Sequence, residues 1–419
     1  MTVSLQAWLH RLENLHVKTI DLSLERVGAV YARMGAPRPA REVWTVAGTN
    51  GKGSVVAYLG GMLKAMGLRA GSFTSPHILR FNERIRIDGE CVDDQTIIDA
   101  LARVEYARQD ISLTYFEFTT LASLLIFETA GLDAAVLEVG LGGRLDAVNV
   151  VDADVAVLTA IGLDHQQFLG PDRESIGFEK AGIIRAHRPV IIGDPDPPDS
   201  VLRHSEALHA QVSVLGRDFH IEPAGESRHL LIQLGRVPLP EPAMPGAHQW
   251  QNMATAVAAM AALHPEVLGD ARLLSSGVRD VQVPGRLQTW PGDHRILLDV
   301  GHNALAAEVI ADYLCGQRRA GNAIFCVLGM LSDKDAEAVA GWLDPVIDHW
   351  ICVGLPGDRG QAGDALSRRL CESGVQEVRA AYDSVAEGLS YALNQAGPMD
   401  QILVFGSFET ISQAITYLQ

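Results

Sequence analysis

The string Trp44-Thr-Val-Ala-Gly-Thr-Asn-Gly-Lys-Gly-Ser54 constrains this chain more than any other stretch. A β-rich run enters a glycine-rich turn, and helical spacing of apolar residues begins at Lys52. That order turns backbone N–H groups and a helix N-terminus toward an anion, with Lys52 placed to reach terminal phosphates. The common pattern G-x-x-x-x-G-K-[ST] is not met, because Val46 stands at the first glycine position and Gly53 separates Lys52 from Ser54. The segment is read as a variant phosphate loop, against the plainer alternative of a glycine-rich strand-to-helix turn.

Composition says what kind of pocket that loop must serve. A formal net charge of −17 argues against a general nucleic-acid or anionic-membrane surface, so phosphate chemistry must sit in a local site. With 419 residues, 47% of them hydrophobic, the chain has material for a large core and for two domains. Cys91, Cys315, Cys326, Cys352 and Cys371 show no CxxC or Cys/His metal spacing, and most fall in apolar runs that read as buried thiols. Residues 1–16 mix Arg11 and Glu13 into an amphipathic pattern unlike a signal peptide, and the apolar run 134–141 is broken by Glu138. The chain is expected to be a soluble, cytoplasmic monomer with no nucleic-acid or membrane partner.

Along the chain, residues 42–47, 134–139 and 154–160 read as strands. Residues 52–66, 93–106 and 117–129 read as helices, with Gly67 as the stop of the first. This alternation predicts a parallel sheet covered by helices. Residues 193–200, rich in Asp and Pro, form a loop, and residues 212–239 carry short alternating stretches that predict a small antiparallel addition. A helix is expected over 249–263. Pro284-Gly285 is the boundary signal, giving domains at 1–284 and 285–419. Five further strands, at 295–300, 323–328, 349–353, 377–380 and 401–405, predict a second doubly wound, Rossmann-like α/β domain.

Polar islands follow several strands, as sites in open α/β sheets do. Ser75, Glu138 and His165 offer a hydroxyl, a carboxylate and an imidazole to a divalent ion bridging phosphate oxygens. Each has a plainer alternative: a turn before Pro76, a satisfied strand-end carboxylate, a structural histidine.

Taken in order, Gly48-Thr-Asn-Gly-Lys-Gly-Ser54, Thr74-Ser-Pro-His77, Glu138-Val-Gly-Leu-Gly-Gly-Arg-Leu-Asp-Ala-Val-Asn149, Asp164-His165, Glu179-Lys-Ala-Gly-Ile-Ile184, Pro284-Gly-Arg286 and Asp299-Val-Gly-His-Asn303 span nearly the whole chain. This series resembles the folylpolyglutamate synthase and dihydrofolate synthase branch of the Mur ligase superfamily. The resemblance implies a phosphate-loop ATPase domain followed by a Rossmann-like, amino-acid-binding domain. It implies an ATP- and magnesium-dependent ligase that adds L-glutamate to dihydropteroate and to reduced folates. By it, Asn50, Gly51, Lys52, Gly53 and Ser54 hold the ATP phosphates, and Asn252, Arg286 and Asp299 supply further nucleotide contacts. Ser75, Glu138 and His165 are the implied magnesium ligands. Lys180 joins them at a second magnesium after carbamylation turns its cation into an anion, and is otherwise a solvated helix lysine.

The same resemblance implies pterin contacts from Asp21, Leu22 and Ser23, from Thr114, Tyr115, Phe116 and Glu117, and from Leu145, Asp146 and Ala147. Phe116 offers a flat face to a pterin ring, and Asp146 accepts from its N–H groups. Phe116 read alone is also a core aromatic, and Asp21 a helix N-cap. His302 and Ser407 are the implied glutamate contacts, with Lys52, Lys180 and His302 the catalytic set and closure of the second domain excluding water. Lys52, Arg84, Arg144, Arg185 and Arg286 are candidates for a positive pocket. Three rivals remain: a muropeptide ligase, for which the 47 residues ahead of Gly48 leave little room; a synthase that only elongates the glutamate tail; and a nucleotide-hydrolysing switch protein.

Overall fold

A computed structural model describes residues 4–18, 20–224, 227–233, 235–319, 321–375 and 378–419. Thr19 of the segment Lys18–Arg26 that resembles a pterin-binding loop, residues 225–226 and 234 of the antiparallel stretch, and Glu377 at the start of an expected strand lie outside the described residues. The chain divides into two compact units, Met1–Ala243 with Trp250–Gln282, and Met244–Gln249 with Val283–Gln419. The second unit thus takes an early segment that sequence spacing assigns to the first. A side chain at Gly246 would lie 3.1 Å from Leu287 Cδ1, which shows how closely that segment packs on the second unit.

The first unit is built on β1 (Ala40–Ala47), β2 (Ala70–Phe73), β3 (Ile85–Ile87), β4 (Glu90–Cys91), β5 (Leu132–Glu138), β6 (Val155–Leu158), β7 (Pro189–Ile192) and β8 (Gln211–Val214). They pair in the order β4-β3-β2-β5-β1-β6-β7-β8. The run from β2 through β8 is parallel, and β3 and β4 add an antiparallel edge. Buried on both faces, β1, β5 and β6 are near-continuous apolar runs, which is why they are legible in sequence. Residues 212–214 belong to β8 of this sheet, not to the antiparallel addition. That addition is a separate sheet of β9 (Phe219–Ala224), β10 (Ser227–Ile232) and β11 (Gly235–Leu239).

The helix expected from 117 begins earlier, at Tyr115, and runs to Ala130. Thr114 Oγ1 accepts the Glu117 N–H while the Glu117 carboxylate accepts the Thr114 N–H, a reciprocal cap that fixes the start two residues ahead of the apolar run. Gly131, at φ 62°, ends it. The helix Leu24–Arg33 is capped by Ser23, so Asp21 is not its N-cap.

The second unit pairs β12 (Gln288–Trp290), β13 (Asp293–Asp299), β14 (Ile324–Leu328), β15 (His349–Val353), β16 (Val378–Tyr382) and β17 (Gln401–Phe405) in the order β12-β13-β17-β14-β15-β16, parallel except for β12. Its core gathers Leu297, Leu314, Trp350, Leu366, Leu403 and Phe405. Only Cys326 and Cys352 are buried; Cys91, Cys315 and Cys371 are exposed, because β4 is a sheet edge and the other two lie on outer helix faces. Among the described residues no helix is long and apolar enough to cross a membrane.

For the site, the decisive feature is the neighbouring order β2-β5-β1-β6 in one parallel register. Parallel strands release their chains on the same edge, so the turns after Phe73, Glu138, Ala47 and Leu158 lie side by side.

Candidate active site

The turn after β1 leads into the helix Lys52–Ala65. Gly48 has φ 153°, and a side chain there would lie 1.8 Å from Thr159 Oγ1, so only glycine fits between β1 and the turn after β6. Gly51, the helix N-cap, is left-handed at φ 90° and contributes no side-chain cap, and the helix N-terminus it opens is the end that favours an anion. A side chain at Gly51 would lie 2.5 Å from Asn252 Oδ1, so the sequence-predicted Asn252 does stand against this loop. The turn is pinned by Thr49, whose N–H donates to Ala160 O at 2.7 Å and whose hydroxyl exchanges 3.0 Å bonds with Gly162. Ser54 is buried on the helix.

Two lysines converge on one oxygen. Lys52 Nζ donates to Gly48 O at 3.0 Å and Thr49 O at 3.1 Å, and Lys180 Nζ donates to Gly48 O at 2.9 Å. Lys180 is not a solvated helix lysine: it is 4% exposed. Burial, reinforced by the Lys52 charge, brings its pKa down to about 7, against the opposing pull of Asp164 and Asp146.

Glu138, buried at the end of β5, accepts the Ser75 N–H at 3.2 Å, and a side chain at Gly53 would lie 3.9 Å from its Oε2. Ser75, Glu138 and the phosphate loop are therefore together. His165 comes from the turn beyond β6, left-handed at φ 52°, with its N–H on Asp164 Oδ1. Among the described residues no group of three or more His, Cys, Asp or Glu is arranged for a metal. A serine hydroxyl, a buried carboxylate and an imidazole fit a hard divalent cation that completes its shell with phosphate and water.

The three predicted pterin segments also meet. Arg26, which closes the Lys18–Arg26 segment that resembles a pterin-binding loop but to which the sequence assigns no role of its own, donates from Nη1 to Asp21 Oδ2 at 2.9 Å and from Nη2 to Glu117 Oε1 at 3.0 Å. His16 adds a 3.2 Å bond to the same Asp21 oxygen. Leu22 and Leu141 pack on one cluster, and Tyr115, Phe116 and Ala147 on another. Phe116 lies over Gly140, where a side chain would come within 2.6 Å of its ring, and 5.9 Å from the Phe73 ring. Ser23 is committed to its helix cap and Leu145 is half-buried beside Asp146. Asp146 accepts the Leu141 and Val148 N–H groups at 2.9 Å each; burial nevertheless pushes its pKa up to about 7.

Of the arginines read as a positive pocket, Arg144 is tied to Glu179 at 2.8 Å, and Arg185 to Asp152 and Asn149. Arg84 donates to His77 Nδ1 at 2.9 Å.

In the second unit, Asp299 ends β13 and accepts the Leu287 and Gly301 N–H groups at 2.8 and 2.7 Å. Burial raises its pKa, opposed by Arg286 and His302. Arg286 lies over the Phe408 ring at 5.9 Å. His302 Nδ1 is 2.9 Å from Val300 O, which fixes the proton on that nitrogen. Ser407 caps the helix Phe408–Leu418 through Thr410. His248, beside Arg286, was missed; burial and that charge bring its pKa down to about 4. The spacing of residues 244–249 carries no signal that would have found it.

Residues 46–260 match the Mur ligase middle domain, and residues 285–408 the Mur ligase glutamate ligase domain. A dihydrofolate synthase/folylpolyglutamate synthase of Escherichia coli strain K12 is 42% identical over 423 residues, covering 98% of this chain and 94% of its own. A solved E. coli structure in complex with DHPP and ADP superposes with a TM-score of 0.93 at 41% identity, covering 99% of this chain and 97% of that one. A bifunctional folylpolyglutamate synthase/dihydrofolate synthase from Yersinia pestis is 39% identical with a TM-score of 0.90, covering 100% and 98%; its structure holds AMPPNP and a Mn ion. This chain belongs to the dihydrofolate synthase/folylpolyglutamate synthase branch of the Mur ligase family.

Proposed function

We propose that this chain uses ATP to add L-glutamate to dihydropteroate and to reduced folates by way of an acyl phosphate. A carboxylate is anionic and resonance-stabilised, so it must be activated before an amine can attack it. One oxygen of the acceptor carboxylate bonds to the γ-phosphorus while the bond to ADP breaks, its electron pair leaving on ADP. The neutral amine of glutamate then attacks the acyl carbon, and the tetrahedral intermediate collapses with loss of phosphate and of the amine proton.

The observation that carries this reading is the row of strand ends: the loop at residues 48–54, Ser75 with Glu138, and Lys180 at one edge, beside the pocket clasped by Arg26. In it, residues 50–54 and Asn252 hold phosphates, Lys52 offsets charge on the transferring group, and Phe116 and Asp146 hold the pterin. Ser75, Glu138, His165 and a carbamylated Lys180 would hold magnesium at two sites; when bound, the metal draws charge from the phosphoryl oxygens. A lysine with a pKa near 7 keeps much of its amine neutral, the form whose lone pair bonds to the carbon of CO2. Arg286 and Asp299 contact the nucleotide, and His302 and Ser407 the glutamate. A cytoplasmic, monomeric state belongs to the same proposal. Lys52→Ala tests it: ADP formation should be lost while the thermal transition stays near that of the parent, and full turnover in the variant would overturn the reading.

A further inference from the structure

Arg84 is a half-buried cation with no ion-pair partner in contact, although the Glu138 and Glu83 charges act on it from farther off. Among the described residues its guanidinium has no carboxylate within ion-pair distance, unlike Arg26, Arg144, Arg173 and Arg185. Its one side-chain hydrogen bond runs from Nε to His77 Nδ1 at 2.9 Å, leaving Nη1 and Nη2 undirected within the protein. Cζ lies 5.6 Å from the Phe81 ring centroid and 5.4 Å from that of Tyr115, and those rings meet edge-on at 6.2 Å. The nearby Glu83 is consumed by the N–H groups of residues 78–80, and Glu138 receives the Ser75 N–H. The fork is therefore held rigid, charged and unspent.

Its position gives it a use. The Arg84 carbonyl accepts the Thr74 N–H at 2.9 Å, so its own backbone fixes the turn bearing Ser75, while its guanidinium stacks on Tyr115 of the pterin-side segment. On the ligase reading above, the acceptor's carboxylate stands between the pterin pocket and the terminal phosphate, and a group bridging the Ser75 turn and Tyr115 borders that place. A guanidinium fork suits a carboxylate geometrically, and holding one oxygen orients the other toward phosphorus. We propose that Arg84 grips the reacting carboxylate of the pterin-linked acceptor through Nη1 and Nη2. The inference rests on the ligase reading above and adds a substrate contact to it.

The experiment is steady-state kinetics of full-length Arg84→Gln, Arg84→Lys and Arg84→Gly with ATP, magnesium and glutamate, using dihydropteroate and a reduced folate monoglutamate in turn. Removing charged hydrogen bonds of this kind lowers kcat/KM for both acceptors by about 100-fold, with little recovery in the lysine variant, which lacks the fork. Affinity for a non-hydrolysable ATP analogue stays at the parent's value, and added guanidinium ion restores part of the Arg84→Gly turnover, which a merely structural role would not allow. If Arg84→Gln does not fold, the lysine variant and the guanidinium rescue decide. A kcat/KM close to the parent's for both acceptors overturns the proposal. So does a loss confined to the folate, which would assign Arg84 to the α-carboxylate that dihydropteroate lacks. Absence of turnover in the parent would instead sink the ligase reading itself.

Discussion

Replacing Gly48 by alanine strikes the junction on which the phosphate loop depends, and its size follows from the geometry. The new Cβ would stand 1.8 Å from Thr159 Oγ1 and 2.9 Å from Thr159 Cβ, at a residue 1% exposed that also holds Ala47 O. Non-glycine residues in such backbone regions cost about 1–3 kcal/mol. Forcing a methyl into packed interior costs about 1–3 kcal/mol more. For a body of this size each kcal/mol moves the melting temperature by about 2–4 °C, so the combined cost of about 2–6 kcal/mol should lower it by about 4–24 °C in Gly48→Ala. The assay is thermal unfolding of the intact chain by circular dichroism, following the transition that an ATP analogue shifts. Thr159→Ala in the same chain removes the 1.8 Å contact but not the 2.9 Å one, so the double variant should recover part of the loss. A Gly48→Ala protein melting within 2 °C of the parent, or a double variant melting as though the two changes were independent, would falsify the steric argument.

Gly51→Ala should act on nucleotide more than on the fold, because its clash is with the movable end of Asn252; the left-handed strain and displaced amide predict about a tenfold rise in KM for ATP with acceptor KM unchanged. Arg26→Met leaves Asp21 and the 4%-exposed Glu117 without their shared cation, so acceptor KM should rise about tenfold or more while the KM for ATP holds. Equal changes in both would show that Arg26 only stabilises the unit. For Lys180, the unfolded chain keeps its proton up to about 10.5, whereas the folded chain releases it near 7. Between those values the unfolded state binds the extra proton, so stability rises with pH, by at most about 5 kcal/mol. In CO2-free buffer, Lys180→Met should therefore melt higher relative to the parent at pH 7 than at pH 9.5; a constant difference would show that Lys180 is charged in the fold.

What sequence conveys here is what buried parallel strands and glycines must convey. Strands β1, β5 and β15 stand out because a strand covered on both faces has no room for polar residues. The short edge strands β3 and β4, of three and two residues, carry no such signature, since only pairing with β2 makes them strands. Gly48 and Gly51 are visible as residues, but their partners Thr159 and Asn252 are more than a hundred positions away. The Arg26–Glu117 bond spans 91 positions, and nothing in local spacing distinguishes that arginine from a surface one. Lys180 misleads for the same reason: helical periodicity fixes the face it leaves from, not the carbonyl of Gly48 that its long stem reaches.

The decisive measurement of the ligase activity is phosphate release from ATP and magnesium with glutamate present, adding in turn dihydropteroate, a reduced folate monoglutamate and a UDP-muramoyl peptide. The account predicts release with both pterin acceptors, none with the muramoyl peptide, and none when glutamate is withheld. Release with the folate alone would reduce the activity to tail elongation, and release with neither pterin acceptor would contradict the account.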